Sequence, residues 1–159
     1  MASRFHAKSW VWSNGAVQDS QDPDRIDKLR SIPLFAELSD DALRLVLDHA
    51  TEFETEPGHT LVQPNQAGAG LFVIEEGTVE VVLPNRRVEL GPGEFFGELA
   101  LLAEDAVHTA RVRAASNLKC LALARDRFDG LLASEPSIAV SMLRVLARRL
   151  AADAASAKN

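Results

Sequence analysis

The stretch Leu90-Gly91-Pro92-Gly93-Glu94-Phe95-Phe96-Gly97-Glu98-Leu99-Ala100-Leu101-Leu102 carries residue types suited to holding an anion. Glycines and a proline lead into a short, helix-prone piece. Freed backbone N–H groups at the start of a helix point outward and favour a phosphate. Gly97 lets the backbone come close to a ligand, because it has no Cβ. Glu98 is the wrong sign to hold a phosphate, but a carboxylate accepts hydrogen bonds from a sugar hydroxyl. The same residues also fit a plainer arrangement, a turn followed by one helical turn that plugs a barrel, with Glu98 in solvent. Glycine spacing alone slightly favours the plainer arrangement.

Other chemistry finds little support. His6, His49, His59 and His108 are scattered and form no His-x-His pair, so the clustered imidazole and carboxylate set of a metal-binding jelly-roll enzyme is missing. No Gly-x-Ser-x-Gly elbow, phosphate-binding loop or His-Glu-x-x-His occurs. No catalytic residue, metal ligand or cofactor is expected. Cys120 is the only cysteine, so an internal disulfide is impossible, and its apolar neighbours Leu118, Leu121, Ala122 and Leu123 predict a buried, inert thiol.

The elements that must position this stretch follow from length and punctuation. A chain of 159 residues suits one core. Its 17 basic against 23 acidic residues give a net charge of -6, which argues against nucleic acid and anionic membranes as partners. No apolar run approaches the roughly 20 residues of a membrane span, and residues 1–20 lack the apolar stretch of a signal peptide. A cytoplasmic location is therefore expected.

Residues 1–22 show no period and read as a loosely ordered tail, in which Trp10 and Trp12 are unusual. Ile26, Leu29 and Ile32 then follow helical spacing from about Asp24 until Pro33. Ser39 is a suitable N-cap for a helix over 40–50, with Leu43, Val46 and Leu47 as its apolar face. From Thr51 onward glycine, proline and asparagine recur every few residues. Between them lie short β-like runs at 51–55, 60–63, 71–75, 79–83, 87–90, 109–114 and 118–124. Helical sequence resumes at Asp126 and is divided by Pro136 into pieces near 127–133 and 137–155. Ile138, Met142, Val145, Leu146 and Leu150 form a stripe on the second piece, able to pack on the domain or to form a dimer seam. The expected fold is mainly β with flanking helices: an antiparallel jelly roll of about eight strands over 51–124, helices over 24–50 before it and over 126–156 after it.

Gly97-Glu98-Leu99-Ala100-Leu101 after Gly91-Pro92-Gly93-Glu94-Phe95-Phe96 resembles the phosphate-binding cassette of cyclic-nucleotide-binding domains, as in catabolite activators and the regulatory subunits of cyclic-AMP-dependent kinases. Ile32-Pro33-Leu34-Phe35 with Leu38-Ser39, the run from Leu71 to Val81, Val112-Arg113-Ala114 and Ala147-Arg148-Arg149-Leu150 are similar as well. The likeness covers about 24–150. It implies a regulatory module with cAMP or cGMP as ligand and no catalytic or DNA-binding part. It implies that Glu98 bonds the ribose 2′-hydroxyl and that backbone amides near Phe96, Gly97, Leu99 and Ala100 meet the phosphate.

The charged half of the cassette departs from the family. Where an arginine is usual, followed by Ser, Thr or Ala and then Ala, this chain has His108-Thr109-Ala110. Arg111 is three residues further on and in a strand faces the other side. Arginine is always charged and offers a fork to phosphate, whereas histidine is mostly neutral at pH 7. Two outcomes stay open: weak binding that strengthens as His108 protonates, or a pocket that no longer binds and a fold kept as an interaction scaffold. Thr109 matches a residue associated with cGMP recognition and is equally an ordinary strand residue. Arg149 matches a helix arginine that approaches the cassette glutamate; from composition alone it reads as part of a solvated basic face with Arg144 and Arg148. Asp153 and Ala154 match adenine-contacting positions without supplying the hydroxyls. The chain stops too soon after this helix for a helix-turn-helix, so a homodimer through 137–155 or a separate effector would carry the output.

Overall fold

Helices begin where the sequence supplies a cap. In the computed structural model, which describes residues 21–66, 70–98, 102 and 110–157, Asp22 accepts a hydrogen bond from the Asp24 amide and Pro23 fills the first turn of α1 (Pro23–Arg30). Asp22, the last residue of the tail expected over 1–22, is thus the cap of this helix. Trp10 and Trp12 lie outside the described residues. The Ile26 pattern runs out at Arg30, and Pro33 opens a 3₁₀ turn (Pro33–Phe35). Ser39 caps α2 (Asp40–His49), accepting from the Ala42 amide at 3.2 Å.

Eight strands follow among the described residues: β1 (Thr51–Thr55), β2 (Thr60–Val62), β3 (Gly70–Glu76), β4 (Val79–Val82), β5 (Arg87–Leu90), β6 (Phe95–Phe96), β7 (Arg111–Ala114) and β8 (Leu118–Ala124). They form two antiparallel four-stranded sheets, ordered β1-β8-β3-β6 and β2-β7-β4-β5. This is the jelly roll that the turn spacing predicts. β6 is a correction: the cassette stretch does not simply interrupt the strands, because Phe95 and Phe96 pair with Val73 and Phe72 of β3. Two residues are too few for any alternation to betray a strand.

The two sheets enclose one apolar layer and the helices cover another. Phe72, Ile74, Phe96, Val112, Cys120 and Ala122 meet between the sheets. Leu71, Val73, Phe95, Leu121 and Leu123 face the other way, onto α1, α2 and the C-terminal helices. β3 and β8 are therefore buried on both faces, which is why Leu71 to Ile74 and Cys120 to Leu123 lack alternation. β5 and β7 alternate because one face meets water. The Cys120 thiol is buried, and burial pushes its pKa far up, so it is inert in the folded chain.

β8 runs directly into α3 (Arg125–Ser134), one residue before the expected start, and Glu135 separates it from α4 (Pro136–Ser156). The apolar stripe of α4 is divided. Ile138 and Met142 are buried in the helical core, with Val145 and Leu146 packed against it. Leu150 is 71% exposed, together with Val140 and Leu143, the latter at 66%. The stripe named from sequence is therefore mostly intradomain packing, and the outer apolar row of α4 is Val140, Leu143, Ala147 and Leu150. No single helix among the described residues is long and apolar enough to cross a membrane.

Candidate functional site

The cassette leaves the sheet through Gly97, and the backbone geometry there admits only glycine. Its φ is +90°, and an added Cβ would stand 2.5 Å from the Gly70 carbonyl oxygen and 3.3 Å from the Phe72 ring. The close approach that Gly97 permits is thus to β3 of its own chain. It lets β6 end on Gly70 and turns the next residue inward. Phe96, one residue earlier, stacks on Phe72 with ring centroids 5.0 Å apart, and Phe53 meets Phe72 edge-on at 5.9 Å. These rings fix the floor from which the cassette rises.

Glu98 is the residue so presented. It is only 6% exposed, and its carbonyl accepts the Leu102 amide at 2.9 Å, a helical i to i+4 bond that starts at Glu98. Burial pushes its carboxyl above the ordinary range, opposed by a hydrogen bond from its own backbone amide and by the Arg149 charge. The solvated Glu98 of the plainer sequence arrangement is excluded.

Arg149 comes from α4 and is not part of a solvated basic face. One terminal nitrogen donates to Glu98 Oε1 at 3.3 Å and the other to the Phe95 carbonyl at 2.7 Å. Its guanidinium lies 4.3 Å from the Phe95 ring centroid. Glycine spacing and composition could not find this, because the partners are 51 residues apart and an inward arginine looks like any other in a row of three. Arg144 does face outward, to Glu37 at 2.7 Å.

The structure thus brings together Phe96, Gly97, Glu98 and Arg149. Leu99, Ala100, His108 and Thr109 lie outside the described residues. Ala110 leads into β7, which starts at Arg111, and Arg111 is exposed. Asp153, one turn beyond Arg149, is bonded to Arg86 at 2.8 Å. Sequence reading passed over Gly70, Phe95 and Arg86. Gly70 acts through its carbonyl, Phe95 through its carbonyl and its ring against Arg149, and Arg86 is one of many charged residues; none carries a local signal. Among the described residues no group of His, Cys, Asp and Glu side chains is placed to hold a metal.

A buried acceptor at the start of a helical turn, with a guanidinium beside it, can take a hydroxyl donor and tolerate an anion nearby. The family described as the cyclic nucleotide-binding domain matches residues 52–135. Over 119 residues the chain is 34% identical to a cyclic nucleotide-gated potassium channel of Rhizobium etli; the match takes in 75% of this chain and 33% of the channel. Its structure is similar to the Thermus thermophilus catabolite activator protein, at 27% identity and a TM-score of 0.70, over 79% of this chain and 62% of that one. It is also similar to the regulatory subunit of a cAMP-independent protein kinase A from Trypanosoma brucei, in a triple mutant bound to cAMP in the A site. One of the three changes replaces threonine by arginine; identity is 27% and the TM-score 0.66, over 78% of this chain and 45% of that one. The chain spans about a third of the length of the curated channel it matches.

Proposed function

The chain belongs to the cyclic-nucleotide-binding domain family, and from that premise we propose that it is a regulatory sensor that takes cAMP or cGMP at the Glu98 cassette. The family's domain is regulatory and non-catalytic. The observation that carries the reading is the buried, ionisable Glu98 at the start of a helical turn, with Arg149 beside it. In this reading Glu98 accepts the ribose 2′-hydroxyl. The amides of Leu99 and Ala100 face the cyclic phosphate, and His108, Thr109 and Ala110 close its other side.

Output by self-association fits the outer row of α4. Val140, Leu143, Ala147, Leu150 and Ala154 recur at alternate spacings of three and four, which is the seam of a two-helix pair. A homodimer through this row replaces the stripe read from sequence. Leu143→Glu and Leu150→Glu together would then give monomers by light scattering, and an unchanged mass would remove this row as the seam.

A second reading has its own support. Arg149 already bonds Glu98, Asp153 already bonds Arg86, and His108 stands where an arginine is usual. A relative that belongs to a cAMP-independent kinase holds cAMP in a variant that gains an arginine. The fold would then be a scaffold that has lost its ligand.

Calorimetry of the full chain with cAMP and cGMP, on the wild type and on His108→Arg, separates the readings. Wild-type binding that is tighter at pH 6 than at pH 8, and stronger and pH-independent in His108→Arg, supports the sensor. Binding in His108→Arg alone supports the scaffold. Binding in neither removes the cassette as a nucleotide site.

A further inference from the structure

The sheet orders place β6 and β5 at one side of the sandwich, as edge strands of their respective sheets. The turn from Gly91 to Glu94 joins them. α4 is attached to both edges. At the first edge Arg149 donates to the β6 carbonyl of Phe95 and to Glu98. At the second, Asp153 accepts from Arg86, in the turn between β4 and β5 that the Leu83 amide closes on the Arg86 carbonyl. Arg149 and Asp153 are four residues apart, hence on one face of the helix and about 6 Å apart along its axis.

Burial along α4 is uneven. Its buried residues are Ile138, Ser141 and Met142. Every residue from Leu150 to Ala157 is exposed. Among the described residues the buried side chains of α4 all lie at or before Met142, and a helix end with little buried apolar area frays. The Arg86–Asp153 pair spans 67 residues of sequence to reach this unsupported stretch.

We propose that Arg86 and Asp153 are the outer half of a two-point clasp, with Arg149 the inner half, that holds the end of α4 across the side of the sandwich beside Glu98 before any ligand arrives. The clasp goes beyond the nucleotide reading and rests on it only for its purpose. Both side chains are about half exposed, at 44% and 51%, so the pair shifts the local open–closed balance by about two- to five-fold.

The test is amide exchange of the full, ligand-free chain, read over 150–157 against 138–146 as an internal control. Arg86→Glu and Asp153→Arg are each expected to speed exchange over 150–157 by about two- to five-fold. They should leave 138–146 unchanged. The charge-swapped double variant Arg86→Glu/Asp153→Arg should restore most of the protection. Unchanged exchange in the single variants, or no recovery in the swap, overturns the clasp. An equal rise over 138–146 means that the variants loosen the whole helix, and this also overturns it. A clasp that responds as stated in a chain that binds neither cAMP nor cGMP stands, and the nucleotide reading falls instead.

Discussion

Replacing Arg149 by methionine removes the guanidinium and keeps most of the aliphatic stem. Lost are a charged hydrogen bond to Glu98 at 3.3 Å, a bond to the Phe95 carbonyl at 2.7 Å and the contact over the Phe95 ring at 4.3 Å. Both bonds are donated by a charged group, and such a bond contributes about 1.5–3 kcal/mol before solvent screening. The Glu98 bond is long and the Arg149 side chain 29% exposed, so solvent discounts both, and the net cost at pH 7 is about 2 kcal/mol. For a chain of this size that lowers Tm by about 4–8 °C. The loss must depend on pH. Burial already lifts the Glu98 pKa, and Arg149 opposes it; without Arg149 the carboxyl rises further and protonates sooner. The charge part of the loss is present while Glu98 is ionised and is lost as pH falls through its raised folded pKa. Glu98→Gln/Arg149→Met leaves no orphaned charge and should regain about half of the lost stability. Calorimetric melting at pH 5 and 8 provides the assay. A Tm change under about 1 °C, or an equal loss at both pH values, refutes the assignment of Arg149 as the partner of a buried carboxylate.

Gly97→Ala forces a Cβ to within 2.5 Å of the Gly70 carbonyl at φ +90°; urea unfolding should show a loss of about 2–4 kcal/mol, and a loss below about 0.5 would show that the cassette turn is not pinned there. Burial and the neighbouring Glu52 raise the Glu75 pKa above the ordinary carboxylate value of 4.5, so its folded pKa exceeds its unfolded one. Its contribution is complete below 4.5 and is lost as pH rises through the folded value. Glu75→Gln should therefore gain in Tm on the wild type between pH 5 and 8, and parallel curves would contradict this.

Most strands are legible because glycine, proline and asparagine mark where each ends, and a jelly roll is little more than short strands between such marks. The Ser39 cap and the burial of Cys120 follow from local chemistry and hold. β6 escapes because two residues have no period, and it draws its stability from β3, about twenty residues back. The function of Arg149 escapes for a different reason. Its sequence neighbourhood is basic, and only the turn of α4 separates the inward Arg149 from the outward Arg144. The α4 stripe divides similarly: spacing identifies a helix with apolar residues, while the packing of α4 on the helical core decides that Ile138 and Met142 are inside and Leu143 and Leu150 outside. Gly97 is legible as a special glycine, but its reason, the carbonyl of Gly70, lies in another strand.

The central claim is that Glu98 reads a ribose hydroxyl, and the most direct measurement is a two-by-two titration of cAMP and its 2′-deoxy form against the wild type and Glu98→Gln. A hydroxyl bonded to a buried carboxylate is worth about 1.5–3 kcal/mol, so the wild type should bind the deoxy form about 10- to 100-fold more weakly, and Glu98→Gln should lose most of that discrimination. Equal binding of both nucleotides to the wild type, or discrimination that survives intact in Glu98→Gln, would contradict it.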